Sequence, residues 1–247
     1  EMLNIPNFST EQSTILVTKI SSNFLVQITS DNILLFSISE MSGDTFNFID
    51  KAEVTGIESH ILFAEYNNDQ LYILTNQNML LVYQVNNNSL ECLKKSEVSV
   101  RPSCFCVGNE HVIVGSWDCE DIFFLDKETL RGVGKLNLRT SGAKSLRTSS
   151  LGSADSSFLF IGLMDGSLKV LKYSYMKSGE EHDINAQDEY SYFLGTTTIQ
   201  LREIMYNGNV SMFAGCDTPS IIYLNKDRNL VSVNIHGHEI KKVEMVQ

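Results

Sequence analysis

Apolar and polar positions along the chain fall into a phrase that is used five times. An apolar run, a short polar break and a second apolar run occur at Leu25 to Ile38, Leu71 to Val85, Val112 to Leu125, Leu159 to Tyr173 and Met212 to Leu224. Measured between Leu25, Leu71, Val112, Leu159 and Met212, the intervals are 46, 41, 47 and 53 residues. A period of this size built from paired strand-like runs predicts the blades of a β-propeller. Helical repeats of similar length would show apolar spacing of about 3.6 residues instead, and the chain has no such stretch.

The breaks have hairpin chemistry. Asp31-Asn32, Asn76 to Asn78 and Asp165-Gly166 are residue types that tolerate positive φ between antiparallel strands. Each phrase is therefore read as the two central strands of one blade. Further runs supply outlying strands: Ile15 to Ile20, Ile61 to Glu65, Cys104 to Val107 and Ile199 to Met205 before a hairpin, and Leu230 to Ile235 after one. Within the hairpins apolar residues are nearly continuous, as expected of strands covered on both faces by neighbouring sheets. The dipeptide Trp117-Asp118 occurs once and lacks the upstream Gly-His of a WD repeat, so the prediction rests on the period.

Length sets the scale of the assembly. Five blades nearly exhaust 247 residues, whereas propellers close with roughly four to eight. The expectation is an all-β fold of four-stranded antiparallel blades, one domain over residues 1–247, forming part of a seven-bladed ring. A start at Glu1 and an uncapped stop at Gln247 suggest a segment of a longer multi-propeller protein.

Charge narrows the partners. A net charge of −11 argues against a general field for nucleic acid. One stretch runs the other way: between Thr129 and Ala154 there is no acid, while Arg131, Lys135, Arg139, Lys144 and Arg147 are basic. It reads as a solvated outer strand and loop, or as a docking patch for an acidic partner. Glu180, Glu181, Asp183, Asp188 and Glu189 form an acidic stretch that reads as a mobile loop inserted between blades.

Five cysteines without a CxxC pair, no secretory signal and no membrane-length apolar run predict a reducing intracellular setting. Cys104 and Cys106 share a strand face near His111, and His236 and His238 share another. Both sets are read as packing or surface residues, with no metal and no cofactor. Gly134-Lys135 fails the phosphate-loop pattern, since Thr129 and Leu136 occupy positions that require Gly and Ser or Thr. Neither a GxSxG elbow nor a nucleophile–base pair is present, and no enzyme activity is expected.

The C-terminal third carries a family resemblance. Leu194-Gly195-Thr196, Leu201-Arg202, Phe213-Ala214, Asp217, Pro219 and Ile222-Tyr223, with Asp165 to Leu168 and Gln27 to Ser30 upstream, resemble the damage-specific DNA-binding protein 1 family. Its members are triple-propeller adaptors of cullin 4 ubiquitin ligases. Propeller proteins of splicing factor 3b and of the cleavage and polyadenylation factor share the layout but match Asp217-Thr218-Pro219 less well. The resemblance implies the middle propeller, which docks a cullin 4 type scaffold while other propellers hold substrate receptors, and a nuclear and cytoplasmic location. A chromatin-silencing or repair paralogue fits equally. Nucleic acid is then reached only indirectly, and no membrane is involved.

The family's Gly-x-Trp segment, whose Trp belongs to the cullin-facing surface, maps onto Gly115-Ser116-Trp117; the sole tryptophan reads equally as an interface residue and as blade packing. The partner-binding residues implied are Trp117, Asp118, Glu120 and Asp121, although the stretch before Asp121-Ile122 is longer than the family pattern. Three functional classes follow: a cullin adaptor, an RNA-processing scaffold of the same architecture, and a propeller enzyme with a channel site.

Overall fold

Each apolar run pairs with its neighbour in sequence. The computed structural model describes residues 7–21, 23–39, 45–53, 59–86, 89–153, 157–178, 181–235 and 244–245, and among them every regular element is a strand. The chain divides into two compact units, residues 1–101 and 102–247.

The first unit holds two antiparallel four-stranded meanders. One is β1 (Thr14–Ser21), β2 (Phe24–Thr29), β3 (Asn32–Ser39) and β4 (Thr45–Glu53); the other is β5 (Ile61–Asn67), β6 (Gln70–Thr75), β7 (Met79–Asn86) and β8 (Ser89–Glu97). Val26, Ile28, Ile33 and Leu35 from the first sheet bury against Ile61, Leu71, Ile73 and Tyr83 from the second. Polar ties join the sheets at their turns. Asp31, in the β2–β3 turn, meets His60 Nδ1 at 2.6 Å, and Asn76 Oδ1, in the β6–β7 turn, accepts the His60 amide at 2.8 Å.

Three meanders build the second unit. They are β9 (Pro102–Val107), β10 (His111–Ser116), β11 (Asp121–Asp126) and β12 (Gly132–Asn137); β13 (Ala143–Ser149), β14 (Ser157–Leu163), β15 (Ser167–Ser178) and β16 (Glu181–Phe193); and β17 (Gln200–Tyr206), β18 (Asn209–Gly215), β19 (Ser220–Leu224) and β20 (Leu230–Asn234). A two-residue strand, β21 (Glu244–Met245), adds to the free edge of β17.

The middle sheet of this unit explains the unbroken apolar runs. Successive side chains of a strand point to opposite faces. Leu159, Ile161 and Leu163 of β14 accordingly pack toward Ile113, Ile122 and Phe124, while Phe158 and Phe160 pack toward Leu201, Met212 and Ile222. Both faces are covered, so both parities are apolar. The last strand of a meander has no such cover, and β8 and β12 are largely exposed.

Two expectations change on contact with the fold. The acidic stretch is no inserted loop: residues 181–193 form β16, paired with β15 from Ser178↔Glu181 to Ser167↔Phe193. A last strand needs no apolar covering on its outer side, so a polar, acid-rich sequence still pairs through its backbone, and Ile184 and Ala186 supply the contacts it makes inward. Glu180, His236 and His238 lie outside the described residues. Of the turn residues singled out, Asn78 (φ 59°) and Gly166 (φ 82°) adopt positive φ, whereas Asp31 and Asn32 do not. Asp31 contributes its carboxylate instead.

The cysteine pair is structural. Cys104 and Cys106 are buried in the core between the first two sheets of the second unit, and burial pushes the Cys104 thiol up to about 12. His111 is buried edge-on against Phe124, with ring centroids 5.9 Å apart. Among the described residues no three His, Cys, Asp or Glu side chains come together as a metal ion would require. Gly134 has a packing reason of its own, because a Cβ there would lie 2.7 Å from Ile184 Cδ1 of the strand crossing it.

Candidate partner-binding site

The β10–β11 hairpin delivers its turn, Trp117 to Glu120, from a tightly closed base. Gly115 has no room for a side chain: a Cβ would lie 2.6 Å from Cys104 Sγ and 3.1 Å from the Ala143 Cβ. Ser103 Oγ fastens the same seam by donating to the Ala143 carbonyl at 2.6 Å. Ser116 is fully buried, and its Oγ accepts the Asp118 amide at 3.0 Å, which bends the chain sharply outward. On the far side of the turn the Glu120 carbonyl accepts the Leu138 amide at 3.0 Å.

This frame presents Trp117, the only tryptophan of the chain, with 45% of its surface exposed. Lys144, near the start of β13, places its Nζ 3.1 Å from the centre of the indole ring. The contact joins residues 27 positions apart, and the sequence offers no local signal for it. Only the packing of β13 against β9 and β10 of the neighbouring sheet brings them together.

The acidic residues of the site divide into two kinds. Asp118 and Glu120 are exposed, as is Cys119 between them. Asp121 opens β11, half-buried, and accepts Lys135 Nζ at 3.0 Å and Asn137 Nδ2 at 2.5 Å across the β11–β12 ladder. The Lys135 hydrogen bond, aided by Asn137, holds the Asp121 carboxyl below the usual carboxylate range, and Asp121 in turn raises Lys135. Asp121 is thus engaged on its own sheet, while Asp118 and Glu120 stand exposed on the turn.

The basic stretch is spread over two sheets and the connection between them. Lys135 lies on the exposed strand β12, Arg139 occupies the β12–β13 connection at φ 56°, and Lys144 and Arg147 lie on β13 of the next sheet. Of its five cations, Lys135 neutralises Asp121 and Lys144 caps Trp117.

A second turn of the same unit shows what the C-terminal motif residues do. Asp217, between β18 and β19, accepts from the Thr196 amide at 2.7 Å, the Thr197 hydroxyl at 2.8 Å and the Thr197 amide at 3.2 Å. These bonds, the Thr196 amide foremost, keep its carboxyl below the usual range. The approach is close enough that a Cβ on Gly195 would lie 2.5 Å from the Asp217 Cβ, and a Cβ on Gly166 would collide with the Gly195 carbonyl oxygen. Asp165-Gly166, Leu194-Gly195-Thr196 and Asp217-Thr218-Pro219 are therefore three connecting segments of one latch between the last two sheets.

The family model described as the RSE1/DDB1/CPSF1 second beta-propeller matches residues 1–245 of the chain. No curated protein matches the chain. Among the described residues no helix is long and apolar enough to cross a membrane.

Proposed function

The chain belongs to the RSE1/DDB1/CPSF1 second beta-propeller family, and from that premise we propose that it is a non-catalytic scaffold that docks a cullin 4 type ubiquitin-ligase subunit through the Trp117 turn. One observation carries the reading: the sole tryptophan stands 45% exposed on a turn whose base is tightly packed. A large apolar ring in a fixed, solvent-facing place is the kind of residue around which binding energy concentrates. Trp117 is the anchor; Asp118 and Glu120 give the surrounding surface a negative sign suited to a basic partner. Asp121 belongs to the same surface as the residue that holds Lys135 against the hairpin.

Substrate receptors, on this reading, attach elsewhere in a longer protein, nucleic acid is reached only through partners, and the site of action is the nucleus and cytoplasm. Family membership supports a protein-binding scaffold. The preference for the cullin branch rests on the Gly115-Ser116-Trp117 and Asp217-Thr218-Pro219 resemblance.

Proteins that co-purify with the tagged chain from cells, identified by mass spectrometry, test the proposal. Cullin and RING subunits are expected. Spliceosomal or polyadenylation subunits in their place would reassign the chain to the RNA-processing scaffolds of the same architecture.

A further inference from the structure

We infer that Lys144 is a positioning residue for docking: it holds one face of the Trp117 indole so that the opposite face receives an apolar side chain of the partner, flanked by basic residues that meet Asp118 and Glu120. This rests on the reading of Trp117 as the anchor.

Both ends of the clasp are fixed on one seam. Ala143, next to Lys144, is buried against Gly115 at the base of the tryptophan turn, and its carbonyl accepts Ser103 Oγ. The lysine stem thus starts from a rigid strand, and its ammonium reaches the ring at 3.1 Å. A cation over an exposed indole favours that arrangement by a factor of about 2 to 5. An indole on a turn would otherwise sample several rotamers, and ordering it would weaken association by a similar factor.

The same contact selects the partner's chemistry. The π face attracts cations because its quadrupole is negative. Once Lys144 occupies one face, a second cation on the other would be repelled through the thickness of a single ring. An apolar side chain meets no such repulsion, and it gains from covering the exposed ring. Basic residues of the partner are directed to the rim, where Asp118 and Glu120 are exposed.

The test uses the whole chain, whose single tryptophan reports on itself. Acrylamide quenching of Trp117 fluorescence is measured for wild type, Lys144→Met and Lys144→Arg, and affinity for an immobilised amino-terminal cullin 4 segment for these three and for Trp117→Ala. Lys144→Met should raise the quenching constant and weaken affinity about 2- to 5-fold, while Lys144→Arg restores both. Unchanged quenching in Lys144→Met would overturn the clasp. Tighter binding by Lys144→Met would show that the open face takes a cation, against the inference. Unchanged affinity beside a large loss in Trp117→Ala would remove Lys144 as a positioning residue and leave the docking reading standing. No loss in Trp117→Ala would bring down both.

Discussion

Two hairpin turns of the second unit have the same place in their sheets and opposite uses of their acids. The β18–β19 turn holds Asp217, itself exposed, on the amides and hydroxyl of Thr196 and Thr197, and locks one sheet to the next. The β10–β11 turn leaves Asp118 and Glu120 at the surface and lifts Trp117 beside them. Residues of the first kind are demanded by the fold, because glycine and a short acid are needed wherever backbones approach this closely. The contrast explains why the family resemblance is densest at residues 194 to 224 while saying least about the partner: it is concentrated in a latch.

The comparison breaks first, and most strongly, at Gly166. With φ at 82° and the Gly195 carbonyl against it, Gly166→Val should cost on the order of 3 kcal/mol, combining left-handed backbone strain with overpacking. Urea denaturation reads this directly, and a loss below about 0.5 kcal/mol would mean that the latch does not hold the sheets.

A milder steric probe sits at Gly134, under Ile184. Gly134→Leu should cost about 1 kcal/mol, since the blocking atom is the end of a flexible side chain and β16 can give way. No change in urea midpoint would show that the strand does not rest there.

The carboxylate of the latch gives a pH test. Its folded pKa is depressed, so its contribution is complete above the ordinary carboxylate value near pH 4 and is lost as pH falls through the lower folded value. The stability gap between wild type and Asp217→Asn should be flat from about pH 7 to pH 5 and close below about pH 4. A gap that persists into strong acid would refute the charge-based role.

The smallest effect is expected at the other turn. Asp118→Asn with Glu120→Gln should slow partner association at low salt by a few-fold and leave dissociation and melting unchanged. A dominant change in dissociation rate would place these acids in the centre of the contact.

Much of the fold was legible because the sheets are covered on both sides. Continuous runs such as Phe158 to Leu163 announce buried hairpins, and all five were readable from apolar pattern and turn residues. Strands β4, β8, β13 and β16 went unread because none carries a continuous apolar run, the two-residue β21 leaves no pattern, and β12 lay in a stretch read only as a solvated outer strand and loop. β12 is exposed at four of its six residues, and β13 lies in the middle of the basic stretch. β16 was hidden by its acids, because backbone pairing leaves no mark on composition. At the site, the exposed turn position of Trp117 followed from the hairpin reading. Its partner Lys144 did not, since a cation–π contact between strands of different sheets has no linear signature, and neither did the withdrawal of Asp121 into a pair with Lys135.

The central claim, that the β10–β11 turn docks the partner while the β18–β19 turn only binds the fold together, is tested most directly by a binding titration of Trp117→Ala against the amino-terminal cullin 4 segment, with the melting temperature recorded in parallel. Affinity should fall by about 2 kcal/mol, the scale of a hot-spot truncation, with the melting temperature little changed. Wild-type affinity in the variant would contradict it, as would a collapse in stability that makes Trp117 a core residue.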